Sequence, residues 1–147
     1  MLRFTSQSLV GGAQAALRIA AGLAYFSHGA QKLLGWFGGF GPPGGTVEFM
    51  SRFGAAGVIE TVGGAALILG LFTRSFGFVA SGEMAVAYFW MHWGRSGHMW
   101  WWANRGEVVL LYSFIWLFFA AAGAGPFSLD AWRSRQQPTP KFQATKA

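Results

Sequence analysis

From Val108 to Leu129 the chain runs without a single charged residue. A stretch that long and that apolar meets the roughly 17–25 residues a helix needs to cross the hydrocarbon core of a bilayer. Three more apolar segments precede it, at about Gly12–Leu34, Ala55–Phe72 and Ser75–His92, and the fourth helix is placed at Gly106–Gly123. Composition points the same way. Of the 147 residues, 53% are hydrophobic and only 11% charged, against roughly 25% charged in a soluble domain. One soluble domain of this size cannot enclose so much apolar surface, so lipid is the economical solvent. The predicted fold is all-α, a four-helix transmembrane bundle. Residues 1–11 read as an N-terminal segment, 12–130 as the membrane domain and 131–147 as a basic, disordered tail.

Several classes fall away at once. The chain has no cysteine, which removes disulfides, thiol catalysis, Fe–S clusters and cysteine zinc sites from consideration. The net charge of +6 is scattered through short loops and the tail, which suits membrane lipids with anionic headgroups and not nucleic acid. Arg18 interrupts what would be the apolar region of a signal peptide, and no A-x-A site follows at the right distance. No internal repeat is present.

The connections fit the bundle. Residues 71–76 form a tight turn, and Gly35–Gly54 is a long loop too rich in glycine and proline at its start to be helical. Trp93–Arg105 is the other long loop. The sequence Gly123-Ala124-Gly125-Pro126 ends the fourth helix, and Ser128-Leu129-Asp130 caps a short interfacial turn. Basic residues set the orientation. Arg3, Arg74, Arg133, Arg135, Lys141 and Lys146 fall on one side, and Lys32, Arg52, Arg95 and Arg105 on the other. The excess favours both termini in the cytoplasm. Six of the eight tryptophans, Trp36, Trp90, Trp93, Trp100, Trp101 and Trp102, belong to the outer side. Some serve an interface belt; three in a row suggest cover for a flat ligand or a partner.

Polar residues inside the spans carry the chemistry. Gln14, Arg18, Tyr25, His28 and Lys32 form one stripe on the first helix. Charge in hydrocarbon is costly unless paired, so the stripe should face the bundle interior. Glu60 opens the second helix and Glu107 the fourth, both level with His28 and Lys32. Glu83 lies mid-helix, near the depth of Arg18, and a buried Arg18–Glu83 ion pair is expected. His92 ends the third helix on the outer side. His28, Lys32, Glu60 and Glu107 are therefore read as an outer-leaflet catalytic cluster. Trp36, Trp100, Trp101, Trp102 and His92 would wall the bound ligand, and Gly35, Gly38 and Gly39 would let the loop close over it. Such a pocket suits a quinone headgroup, which needs hydrogen-bond donors, a proton-exchanging group and aromatic walls. The alternative is that Lys32 snorkels to the interface and His28 bonds a carbonyl.

Other constellations are weaker. No Glu-x-x-His or His-x-x-x-His spacing exists, so no metal site is predicted; axial ligation of a haem by His28 and His92 stays open. The glycine loop follows a helix and its prolines lack amide donors, so it is no phosphate cradle. The serines lack a credible triad.

The strings HGAQKLLGWFGGFG, GVIETVGGAALILGLFTR, NRGEVVLLY and GPFSLD occur in the order and spacing of the DoxX family of small four-helix membrane proteins. The resemblance runs from about Arg18 to Asp130. It departs at the closing turn, where Pro126 and Phe127 replace the family's typical arginine and tyrosine. It implies a multi-pass protein of the bacterial inner membrane, associated with oxidoreductase assemblies and with quinone chemistry. Two functions follow. One is a quinone/quinol-binding subunit of a membrane redox complex, with electrons supplied by other subunits. The other is a non-catalytic anchor or assembly subunit, whose small faces (Ala20, Gly22, Ala24; Gly63, Gly64; Ala80, Gly82) make protein contacts.

Overall fold

A computed structural model describes residues 6–136, and every regular element among them is helical. The long helices are α1 (Ser6–Leu34), α2 (Arg52–Leu69), α3 (Thr73–Ala87) and α4 (Glu107–Ala122), followed by the short α5 (Leu129–Gln136). Of these, α1 and α2 are long and apolar enough to cross a membrane. The apolar α4 has 16 residues and α3 has 15, short of the roughly 20 a span across the hydrocarbon core takes. In place of a plain α-helical end, α3 continues into a π-helix at Tyr88–Trp93. Two single helical turns, Gly94–Ser96 and Trp101–Asn104, then interrupt what the sequence presents as a loop.

Glycine spacing decides how α1 and α2 meet. Gly11, Ala15, Arg18, Gly22, Tyr25 and Gly29 are all buried, and their alternating spacing of four and three puts them on one face. That face lies against α2 at backbone distance. A Cβ added at Gly29 would stand 2.5 Å from the Thr61 amide nitrogen, and one at Gly64 would stand 2.8 Å from Phe26 Cα. Small residues permit this approach in an apolar solvent, where dispersion and not the hydrophobic effect holds helices together. The second pair, α3 with α4, uses Gly77 in the same way against Trp116 and Ala120. Between the pairs sits a core of Ala21, Tyr25, Leu67, Ala80, Met84, Trp116 and Phe119. Gly22, Gly63, Gly64 and Ala80 are consequently consumed inside the chain, and are not available to a partner as the sequence suggested.

The end where α2 meets α3 is built from main-chain groups. Gly70 takes a left-handed conformation (φ 67°), and the Leu71 N–H returns to the Ala66 carbonyl, a helix stop that glycine accepts without Cβ strain. Arg18 reaches this stop from α1. Its Nη1 donates to the carbonyls of Leu67 (2.6 Å) and Ile68 (2.8 Å), and its Nη2 to Phe127 (2.6 Å). Asp130 closes the other side, its carboxylate accepting from the Phe72 and Thr73 amides that a helix N-terminus leaves unpaired. The expected Arg18–Glu83 pair is therefore not formed. Depth along the axis was right for neither partner's actual contact: Arg18 sits under the carbonyl end of α2, and Glu83 bonds Tyr25 instead.

Beyond this turn the chain is also more ordered than expected. Residues 129–136 form α5, where the sequence suggested a tail beginning at 131; Ser128 Oγ accepts from the Ala131 amide as its cap. Arg3, Lys141 and Lys146, which entered the orientation argument, and the expected disordered stretch after Gln136 lie outside the described residues.

Candidate functional site

At the other end of α1 the chain must reverse without helix. Gly35 and Gly39 take left-handed φ values of 68° and 77°, and the loop folds back so that the Val47 amide donates to the Lys32 carbonyl at 2.8 Å. This return carries Phe40 above Lys32, with Nζ 5.8 Å from the ring centroid. The loop thus covers the last turn of α1, as its glycines suggested, but the ring over the lysine is a phenylalanine.

Lys32 Nζ donates to both carboxylate oxygens of Glu60, at 2.7 and 2.5 Å. Their side chains are 13% and 3% exposed, and among the described residues this is the only ion pair. Glu60 does not open its helix. Because α2 begins at Arg52, Glu60 lies two turns deep, and the long lysine side chain descends to it. Below the pair lies a second one. Tyr25 Oη donates to Glu83 Oε2 at 3.1 Å, and Glu83 stands within electrostatic range of both Glu60 and Lys32. The Tyr25 ring is fixed by Trp116 (5.3 Å between centroids) and Tyr112 (6.4 Å). Two carboxyl groups, one ammonium and one phenol thus converge between α1, α2 and α3.

Not every expected member joins them. His28 is exposed on α1, one turn before Lys32 and within electrostatic range of Glu60, but outside the buried cluster. Glu107 is exposed at the first turn of α4, where a carboxylate suits the positive end of the helix dipole. Among the described residues it pairs with no cation, because α4 packs chiefly on α3 and only slightly on α1. Trp36, Trp100, Trp101 and Trp102 are exposed and do not close the cluster. Trp100 and Trp102 instead stack on each other, 5.1 Å apart and 9° from parallel, with Trp101 edge-on to both.

His92 is likewise taken up by structure. Its Nδ1 lies 3.1 Å from the Asn104 carbonyl oxygen, and its ring stacks on Tyr88. Asn104, which the sequence reading passed over, is buried and donates to the His98 carbonyl while its Oδ1 accepts from the Gly106 amide at 2.7 Å. Tyr88 Oη donates to the Met99 carbonyl. These bonds pin the loop between α3 and α4, so Tyr88, His92 and Asn104 hold architecture. Among the described residues no three His, Asp or Glu side chains gather as metal ligands.

Tyr25 and Glu83 are the site residues that sequence reasoning assigned elsewhere. The available signal was Tyr25's place on the same stripe as Lys32.

The model of the DoxX family matches residues 13–93, more than half of the chain, and includes both members of each bonded pair in the cluster. A protein of Haemophilus influenzae, described only as uncharacterized, is 43% identical over 119 residues, covering 78% of this chain and 85% of its own length. No solved structure matches. With α1 and α2 long and apolar enough to cross a bilayer and the match lying across both, the chain is a membrane protein that belongs to the DoxX family.

Proposed function

We propose that this chain is an integral membrane subunit of a redox-linked complex and that the Lys32–Glu60–Glu83–Tyr25 cluster handles protons for a bound quinone headgroup. The membrane domain runs over residues 12–130 and crosses the bacterial inner membrane four times, α3 completing its span through the π-helix, with both termini in the cytoplasm. The observation that carries the reading is the ratio of groups in the cluster. Lys32 bonds Glu60 alone, while half-buried Glu83, bonded to Tyr25, stands beside them as a second carboxyl with no cation of its own. Purely structural pairing needs no such surplus, whereas a proton-exchanging site does.

Quinone reduction consumes protons together with electrons. Glu83 and Tyr25 are placed to relay protons, Lys32 to donate a hydrogen bond to a quinone oxygen, and Glu60 to hold Lys32 in place. The electrons come from a partner subunit. Exposed His28 marks a lateral approach from the lipid. The stacked Trp100 and Trp102 support the second reading, a non-catalytic anchor, by offering a flat aromatic face to another subunit.

Quinone co-purifying with the protein in lipid nanodiscs tests the choice. The native chain should carry close to one quinone per protein. The double variant Lys32→Met/Glu60→Leu, which removes the ion pair as a unit, should lose most of it. A native chain carrying no more quinone than an unrelated membrane protein prepared alongside would leave the anchor reading.

A further inference from the structure

A different part of the surface carries its own ligand chemistry. Arg52 is the first residue of α2 and is exposed. A cation at that position is disfavoured by the positive end of its own helix, and an anion nearby would offset this. None of the chain's described carboxylates provides one, as the only ion pair among them is Lys32–Glu60. The guanidinium is instead held 4.8 Å from the centroid of the Trp90 ring. A cation–π contact of this kind uses none of the guanidinium's N–H donors.

Trp90 also borders a shallow, open apolar hollow of about 410 Å³ on the face of this helix, with Ala85, Val86 and Phe89. Its shape follows from the local sequence. Ala85 is small between larger neighbours, and the π-helix at Tyr88–Trp93 carries Phe89 and Trp90 along its far side. Arg52 and Trp90 stand at the outer ends of their helices. Val86 lies one turn deeper on the same side of α3. A fixed cation at the interface with an apolar hollow below it, along the membrane normal, reproduces the order of parts in a phospholipid.

We infer that Arg52, Trp90 and this hollow form a binding site for an anionic phospholipid, the phosphate on the Arg52 guanidinium and one acyl chain in the hollow. The site is separate from the Lys32–Glu60 cluster and does not depend on the quinone reading. Charge complementarity selects the occupant. A zwitterionic lipid brings its own ammonium to the arginine, and a second copy of the chain would bring another unpaired Arg52.

Native mass spectrometry of the delipidated protein, titrated separately with dioleoylphosphatidylglycerol and dioleoylphosphatidylcholine, tests this. The native chain should hold one phosphatidylglycerol with a preference of about fivefold, the factor one basic residue contributes at an anionic headgroup. Arg52→Gln should abolish the preference while leaving weak retention of either lipid. Val86→Trp, which fills the hollow at an exposed position, should reduce retention of both, with Arg52 intact. An undiminished preference in Arg52→Gln would overturn the site. So would a dimer that dissociates in Val86→Trp, since that assigns the hollow to a second copy.

Discussion

At the α2–α3 end, Arg18 gives its hydrogens to the carbonyls of Leu67, Ile68 and Phe127; at the opposite end of α1, Lys32 gives its own to Glu60. Both are cations on the same stripe of the same helix, both turned away from lipid. What separates them is the kind of partner. Carbonyls cannot titrate and move only with the chain, so Arg18 fastens three segments and does nothing else. Carboxyls exchange protons and can be re-bonded, so the Lys32 end retains chemistry. A buried charge in a membrane protein is a default functional candidate; the partner's chemistry decides whether it remains one.

This contrast can be broken most forcefully at Arg18. Arg18→Met should cost at least about 3–5 kcal/mol, because carbonyls on two segments lose charged donors while the arginine's buried volume is only partly refilled. No second side-chain substitution should restore the loss, since the partners are main chain. Thermal unfolding in detergent would read this as the largest drop of any variant at the two ends. A melting temperature within a degree or two of native would mean that Arg18 does not fasten the turn.

Lys32 should behave differently under the same treatment. Lys32→Met alone leaves Glu60 buried without its cation, a loss of about 3 kcal/mol. Adding Glu60→Leu should recover at least half of it, because the uncompensated carboxylate goes too. The double-mutant cycle should therefore give a coupling of about 1–3 kcal/mol. Strictly additive losses would erase the distinction between the two ends.

Much of this arrangement can be read before any coordinates. The polar stripe on α1 placed Arg18, Tyr25 and Lys32 inward, where they lie, and also His28, which is exposed. Gly35 and Gly123 mark helix ends as read, whereas the second helix, read to Phe72, stops at Leu69 with Gly70 as its cap. Where the reading departs, the reason is that residue spacing gives depth and face on one helix but not which helix lies opposite. Glu83, read at the depth of Arg18, bonds Tyr25 two turns further along α1, while Arg18 meets the end of α2. Glu107 and Lys32 share an end of the bundle, but α4 has α3 as its main packing partner. The carbonyls that receive Arg18 have no side-chain signature at all. The π-helix at Tyr88–Trp93 inserts an extra residue per turn in a run of aromatics with no polar stripe to expose the change of phase. His92, within it, meets the Asn104 carbonyl.

Tyr25 offers the finest test, because it touches both parts of the comparison. Its ring belongs to the core with Trp116 and Tyr112, while its hydroxyl belongs to the titratable cluster through Glu83. Tyr25→Phe keeps the ring and removes one oxygen. A single hydrogen bond contributes about 0.5–1.5 kcal/mol net, so the melting temperature should fall only slightly, less than for either Lys32 or Arg18. If the cluster serves a quinone, the same variant should lose several-fold of its co-purified quinone or of its exchange with added quinone, because Glu83 loses the donor that orients it. A structural network would give the opposite pattern: loss of stability comparable to Lys32→Met, with bound quinone unchanged. Measured on one preparation, melting and quinone content separate these outcomes, since a general loss of fold would lower both together and the loss of an oriented proton donor would lower only the second.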